Sequence, residues 1–157
     1  MCGIFAYLGN TIGADALDNA YKKTQKRGPD NNVLKSIHKN VTFGFHRLAI
    51  MDTSYKGNQP LFHPTKPYSI ICNGEIYNHK KLVRENNFET YSDSDCEVIL
   101  YLYEKYGIDQ TLRMLDSEAF AFCIYDGEKK ELIIISFFSS FKKPLTLDGF
   151  VMPPPRP

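Results

Sequence analysis

Cys2 lies one residue from the start of the chain. A small second residue permits removal of Met1, and the processed chain then begins with a thiol and a free α-amine on one residue. Unperturbed, an α-amine titrates at about 7.7–8.0 and a cysteine thiol near about 8.5. With the two groups matched near neutral pH, the amine takes the thiol proton and later returns it to a leaving group. One residue thus holds both nucleophile and base. A cysteine at this position also arises by chance, so the chemistry has to be judged by the partners the chain supplies. Attack on a carboxamide carbon builds negative charge on its oxygen, and each donor waiting there is worth about 2.7–4 kcal/mol. Asn73-Gly74-Glu75 offers suitable donors, an amide NH2 and a glycine N–H that allows close approach. Asn-Gly is equally the strongest short signal for a type I′ hairpin turn, although Ile76-Tyr77-Asn78-His79-Lys80-Lys81 makes a poor return strand. The sequence leaves both readings open.

Three further residues carry usable charge. Arg47, in His46-Arg47-Leu48, can fork onto a carboxylate with two hydrogen bonds, or be an ordinary strand arginine. His46 reads as a satisfied structural residue rather than a base. Asp95 falls in the first turn of a capped helix, where the macrodipole favours an anion. It either supports that helix start or holds a substrate ammonium group.

The elements that must position these residues are partly visible. Ile4–Leu8 reads as a short buried strand stopped by Gly9-Asn10. Ala14–Lys26 has helical spacing, with Ala14, Leu17 and Tyr21 on one side, until Arg27-Gly28-Pro29-Asp30 breaks it. Residues 41–51 alternate as a strand, 52–67 form a loop, and 68–72 form an apolar strand running into Asn73-Gly74. Ser94 and Glu97 make a capping box ahead of a helix carrying Val98, Ile99, Leu102 and Tyr106, with Gly107 as its stop. Residues 119–125 and 131–135 are apolar, β-rich runs joined by a hairpin loop, Asp126-Gly127-Glu128-Lys129. Strands and helices grouped in this way imply a layered α+β fold rather than a regular βαβ alternation.

Composition narrows the function. A chain of 157 residues with 43% hydrophobic content is one domain with a real core, and a net charge of +1 gives no basic field for nucleic acid. No run is apolar enough to span a bilayer and the start lacks a signal-peptide pattern, so a cytoplasmic protein is expected. Cys2, Cys72, Cys96 and Cys123 show no metal-ligand spacing, and the last three read as core filler.

Taken together the motifs are specific. Met1-Cys2-Gly3-Ile4, Arg27-Gly28-Pro29-Asp30, His46-Arg47-Leu48, Gln59-Pro60, Asn73-Gly74-Glu75-Ile76-Tyr77-Asn78 and Ser94-Asp95-Cys96-Glu97 occur in the order and spacing seen in class II glutamine amidotransferases. The chain resembles their N-terminal nucleophile (Ntn) domain in glutamine-hydrolysing asparagine synthetase, over roughly residues 1–135 with a trace at Lys143-Pro144-Leu145. That resemblance implies a four-layer αββα sandwich of two stacked sheets. It implies that Cys2 attacks the glutamine side-chain amide, that Asn73 and Gly74 form the oxyanion hole, and that Arg47 binds the α-carboxylate. Glu75 and Asp95 would hold the α-amino end, and the backbone of Leu48, Ala49, Ile50 and Met51 would line the pocket. A γ-glutamyl thioester, ammonia and glutamate follow, with L-glutamine as substrate and no cofactor for this step. In the family, ATP and magnesium serve a synthetase domain, which uses the ammonia to make asparagine.

The chain departs from the family pattern near its end. Phe137-Phe138 replace an Arg-Asp pair, Phe141 replaces a glycine, and Ser117 replaces another. The synthetase domain's Ser-Gly-Gly-x-Asp-Ser loop is absent. The expectation is therefore an amidotransferase domain over residues 1–145, C-terminally truncated, followed by a Pro-rich disordered tail over 146–157. Its partner would be a separate synthetase domain or subunit. The alternative is a catalytically silent fragment or glutamine-binding subunit. The lost strands would leave a sheet edge beside Phe137, Phe138 and Phe141, an aggregation-prone segment.

Overall fold

In the computed structural model, residues 2–50 and 54–138 are described. Met1, Met51 and the segment 139–157, with the Lys143-Pro144-Leu145 trace and the Pro-rich tail, lie outside the described residues. Three strands, β1 (Gly3–Leu8), β2 (Asn31–His38) and β3 (Val41–Arg47), form an antiparallel sheet in the order β1-β3-β2. A second antiparallel sheet has the order β4-β5-β6-β7, from β4 (Leu61–Phe62), β5 (Tyr68–Gly74), β6 (Ala119–Asp126) and β7 (Glu131–Phe138).

The period-two alternation of side chains decides how these sheets stack. On β6, Cys123 and Tyr125 turn toward the first sheet and pack with Ile71, Leu132, Val41 and Phe43, with Ile4, Ala6 and Leu8 of β1 alongside. The alternate residues Phe120, Phe122 and Ile124 turn the other way, onto two helices, α2 (His79–Asn86) and α3 (Val98–Met114). The outer face of the first sheet is covered by α1 (Ala14–Lys22) through Tyr21. The Tyr21 ring stacks on His46 at 4.0 Å and its hydroxyl donates to the Phe45 carbonyl. Helix, sheet, sheet and helices thus make the four αββα layers that the resemblance implies.

Several expected boundaries shift. Helix α1 ends at Lys22, and the chain tightens into a 3₁₀ turn over Gln25–Arg27 instead of running helical to Lys26. Strand β3 stops at Arg47, not Met51, because Leu48 and Ala49 turn their N–H groups to Cys2 and Asp30. The expected loop 52–67 contains the two-residue strand β4 and a 3₁₀ turn at Tyr55–Gly57. Strand β7 runs on to Phe138, with Phe137 stacked on Phe120 at 5.2 Å. Gly107 does interrupt its helix, at φ 74°, but helical structure resumes to Met114.

The Ser94–Glu97 capping box is not formed. The Glu97 carboxylate is buried and accepts from the N–H groups of Tyr91 and Ser92 and from the Ser92 hydroxyl, while the Ser94 N–H donates to Ser92. The tertiary turn over 91–94 outcompetes the local cap. Asp126 closes the β6–β7 hairpin as expected, accepting from the N–H groups of Glu128 and Lys129 at 2.9 Å each.

Candidate active site

The strand registers bring the chemistry-bearing residues to one place. Gly3 pairs with His46, so Cys2 emerges beside the end of β3, where Arg47 sits. Asn73 and Gly74 pair with Ala121 and Phe120, which makes them the last residues of β5 and not a hairpin turn. The β5 end faces a cavity of about 290 Å³ lined by Cys2, Arg47, Leu48, Ile50, Asn73, Gly74, Glu75 and Asp95 among others. Ala49 is not among the lining residues; its N–H donates to the Asp30 carboxylate at 2.7 Å. Met51 lies outside the described residues.

Cys2 is the partly exposed cysteine of the four, and all four are free thiols. Its sulfur accepts from the Leu48 N–H at 3.4 Å and lies 3.7 Å from the Leu48 carbonyl, to which the thiol donates. The other three are less accessible. All are buried, and burial pushes the Cys123 thiol up to about 12. The Cys72 thiol beside Cys96, together with burial, holds the Cys96 thiol well above its ordinary value. Cys96 and Cys123 stay protonated at neutral pH, and the thiolate is the reactive form.

The Arg27-Gly28-Pro29-Asp30 motif acquires a physical role here. Arg27 Nε donates to the Cys2 carbonyl at 3.2 Å. Asp30 binds β3 through its N–H to the Arg47 carbonyl, and it holds the Ala49 N–H with its carboxylate. Gly28 lies so close to β3 that an added Cβ would meet the His46 carbonyl oxygen at 2.1 Å and its carbon at 2.3 Å. Both contacts are backbone, so the strand itself must move. Gly28→Ala is expected to destabilise the fold by about 3 kcal/mol and to lower Tm clearly in a thermal melt; an unchanged Tm would mean the loop is free to shift. Gly74 is similarly constrained, since a Cβ there would meet Phe120 at 2.5 Å and the Ala119 carbonyl at 2.9 Å.

Arg47 is buried, and its Nη1 donates to the Ser54 carbonyl and to Asn58 Oδ1, both at 2.7 Å. Asp95 precedes α3 rather than sitting in its first turn, and its Oδ2 accepts from the Ile76 N–H at 2.6 Å. That bond fixes the chain leaving Gly74 and Glu75. Asn78 fixes it further along, donating to the Met114 carbonyl and accepting from the Asp116 N–H. His46 is fully enclosed, bonded to the Tyr21 carbonyl and to Asn32, and is structural as its sequence context suggests.

Tyr77, Glu118 and Ser94 also line the cavity, as do Gln59 and Cys96, and residue type alone assigns none of them to it. Only the helix-like run around Tyr77 hints that this segment is not a return strand. Among the described residues no group of His, Cys, Asp or Glu is arranged to hold a metal ion, and no helix is long and apolar enough to cross a membrane.

The chain is similar to known proteins. The glutamine-hydrolysing asparagine synthetases of Homo sapiens and Bos taurus are 39% and 40% identical over 157 residues. Those alignments cover 96% of this chain but 28% of the relatives. A solved glutamine phosphoribosylpyrophosphate amidotransferase from B. subtilis, complexed with ADP and GMP, is 27% identical with a TM-score of 0.49, covering 62% of this chain and 23% of that one. A family model described as a glutamine amidotransferase domain matches residues 1–146, and the chain belongs to the glutamine amidotransferase domain family.

Proposed function

We propose that this chain, once Met1 is removed, hydrolyses the side-chain amide of L-glutamine to glutamate and ammonia. The observation that supports it best is that one cavity gathers Cys2, the Asn73–Gly74 strand end, Arg47 and Asp95. A nucleophile, oxyanion donors, a carboxylate-binding cation and an ammonium-binding anion are what glutamine requires. In this reading the α-amine of Cys2 takes the thiol proton, and sulfur attacks the amide carbon. The Asn73 side chain and the Gly74 N–H receive the oxyanion. The same amine then gives its proton to departing ammonia, and water cleaves the γ-glutamyl thioester. Arg47 takes the α-carboxylate; Glu75 and Asp95 hold the α-ammonium end, with Leu48, Ile50 and the neighbouring backbone as walls. Apart from water, every group this proposed hydrolysis uses is a protein group, so in this reading it draws on no cofactor.

The chain spans 28% of the length of its asparagine synthetase relatives. Delivery of the ammonia to an ATP- and magnesium-dependent synthetase that amidates aspartate is the acceptor step we propose, with that synthetase as a separate domain or subunit. The division into an amidotransferase domain over 1–145 and a separate tail is part of the same proposal. The test is glutamate release from glutamine by the purified chain, with intact mass read on the same sample. Release from material that begins at Cys2 is expected. A folded, processed chain that releases none would overturn the reading in favour of a silent glutamine-binding fragment.

A further inference from the structure

Two adjacent residues outside the proposed chemistry hold groups that the glutamine reading assigns to opposite ends of the substrate. Asn58 Oδ1 accepts from Arg47 Nη1 at 2.7 Å. Gln59, the next residue, is buried and turns its amide onto the backbone of Cys72, the residue before Asn73. Its Nε2 donates to the Cys72 carbonyl at 3.1 Å and its Oε1 accepts from the Cys72 N–H at 2.5 Å.

The strand pairing explains why a side chain takes this place. Strand β4 pairs with β5 only at Leu61–Ile70 and Phe62–Ser69. Two residues further along that register, Gln59 stands opposite Cys72. There its side-chain amide replaces the main-chain partner and completes the β5 edge next to Asn73. On its other edge β5 pairs with β6, where Cys72 stands opposite Phe122 and Asn73 opposite Ala121. The strand end carrying Asn73 and Gly74 is therefore gripped from both sides, one grip being a single glutamine. An amide with both ends engaged in a buried position costs a full desolvation penalty if its partners are stranded.

We infer that Asn58 and Gln59 are a pair of positioning residues. Asn58 aims the Arg47 guanidinium at the substrate carboxylate, and Gln59 fixes the Asn73 donor at the oxyanion. Because they are neighbours, one short brace sets the distance between the two ends of a bound glutamine. This rests on the glutamine reading of the site.

A brace of this kind splits the kinetic constants in a way general destabilisation does not. Asn58→Ala is expected to raise KM about tenfold with kcat within about twofold, since only ground-state orientation of Arg47 is lost. Gln59→Ala is expected to lower kcat about tenfold with KM within about threefold, since the oxyanion donor is used in the transition state. If Gln59→Ala does not fold, Gln59→Glu carries the test: it keeps the acceptor for the Cys72 N–H and loses the donor to the carbonyl, so kcat again falls. Steady-state kinetics on soluble, folded variants decide it. The crossed pattern supports the inference; variants that alter kcat and KM alike, or alter neither, overturn it while wild-type activity stands. A wild-type chain that releases no glutamate overturns the underlying reading instead.

Discussion

Replacing Cys2 by alanine is expected to cut glutamine hydrolysis by about ten-thousand-fold or more, because the proposed nucleophile itself is gone. Glutamine binding should survive, since Arg47, Asp95 and the β5 end do not depend on the thiol for their place. Their bonds run to Ser54, Asn58, Ile76 and Ala121. Among the described residues the sulfur's hydrogen bonds run to the N–H and the carbonyl of Leu48, so alanine disturbs little else. Calorimetric titration with glutamine alongside the activity assay checks both halves. Persistent hydrolysis would assign the nucleophile elsewhere, and the raised thiols of Cys96 and Cys123 leave few candidates.

Arg47→Ala is expected to raise KM about a hundredfold with a smaller change in kcat, because the proposed charge-assisted fork to the α-carboxylate is lost from ground and transition states alike. Arg47→Lys should not restore it, since a lysine ammonium lacks the planar fork. The substitution also removes two hydrogen bonds to the 54–58 segment, so a thermal melt must accompany the kinetics. An unaltered KM would take Arg47 out of the substrate pocket.

Most of the residues that line the candidate cavity were legible in the sequence, but the contacts that hold them were not, even where Asp30 and Gln59 fall within its motifs. Cys2, Asn73 and Arg47 are informative because their chemistry is carried by residue type. Asp30, Asn58 and Gln59 work through contacts 19, 11 and 13 residues away in the chain, and no local pattern marks such a partner. Asn73-Gly74 shows how topology settles what composition leaves open. The pair that usually turns a hairpin is here a strand end, since its partners are the distant Ala121 and Phe120 of β6.

The missed elements have a common cause. Strand β2 exposes many of its side chains, including Leu34, and helix α2 buries Leu82 alone. Neither shows the apolar periodicity that reveals an element. The strands β5 and β6 alternate between two buried faces, one toward the other sheet and one toward helices, so they read clearly as apolar runs. The capping box failed for a different reason. Its residues stand at the right spacing, but Glu97 is recruited by the 91–92 backbone, a tertiary demand that a four-residue pattern does not contain.

The proposed mechanism stands on the sulfur of Cys2 carrying the γ-glutamyl group. The measurement that tests this most directly is an acid quench of the processed chain during turnover of glutamine, followed by intact mass and peptide mapping. The predicted result is a thioester-labile adduct of one γ-glutamyl group on the N-terminal peptide, at Cys2. Glutamate release with no such adduct, or with the adduct on another residue, would contradict it.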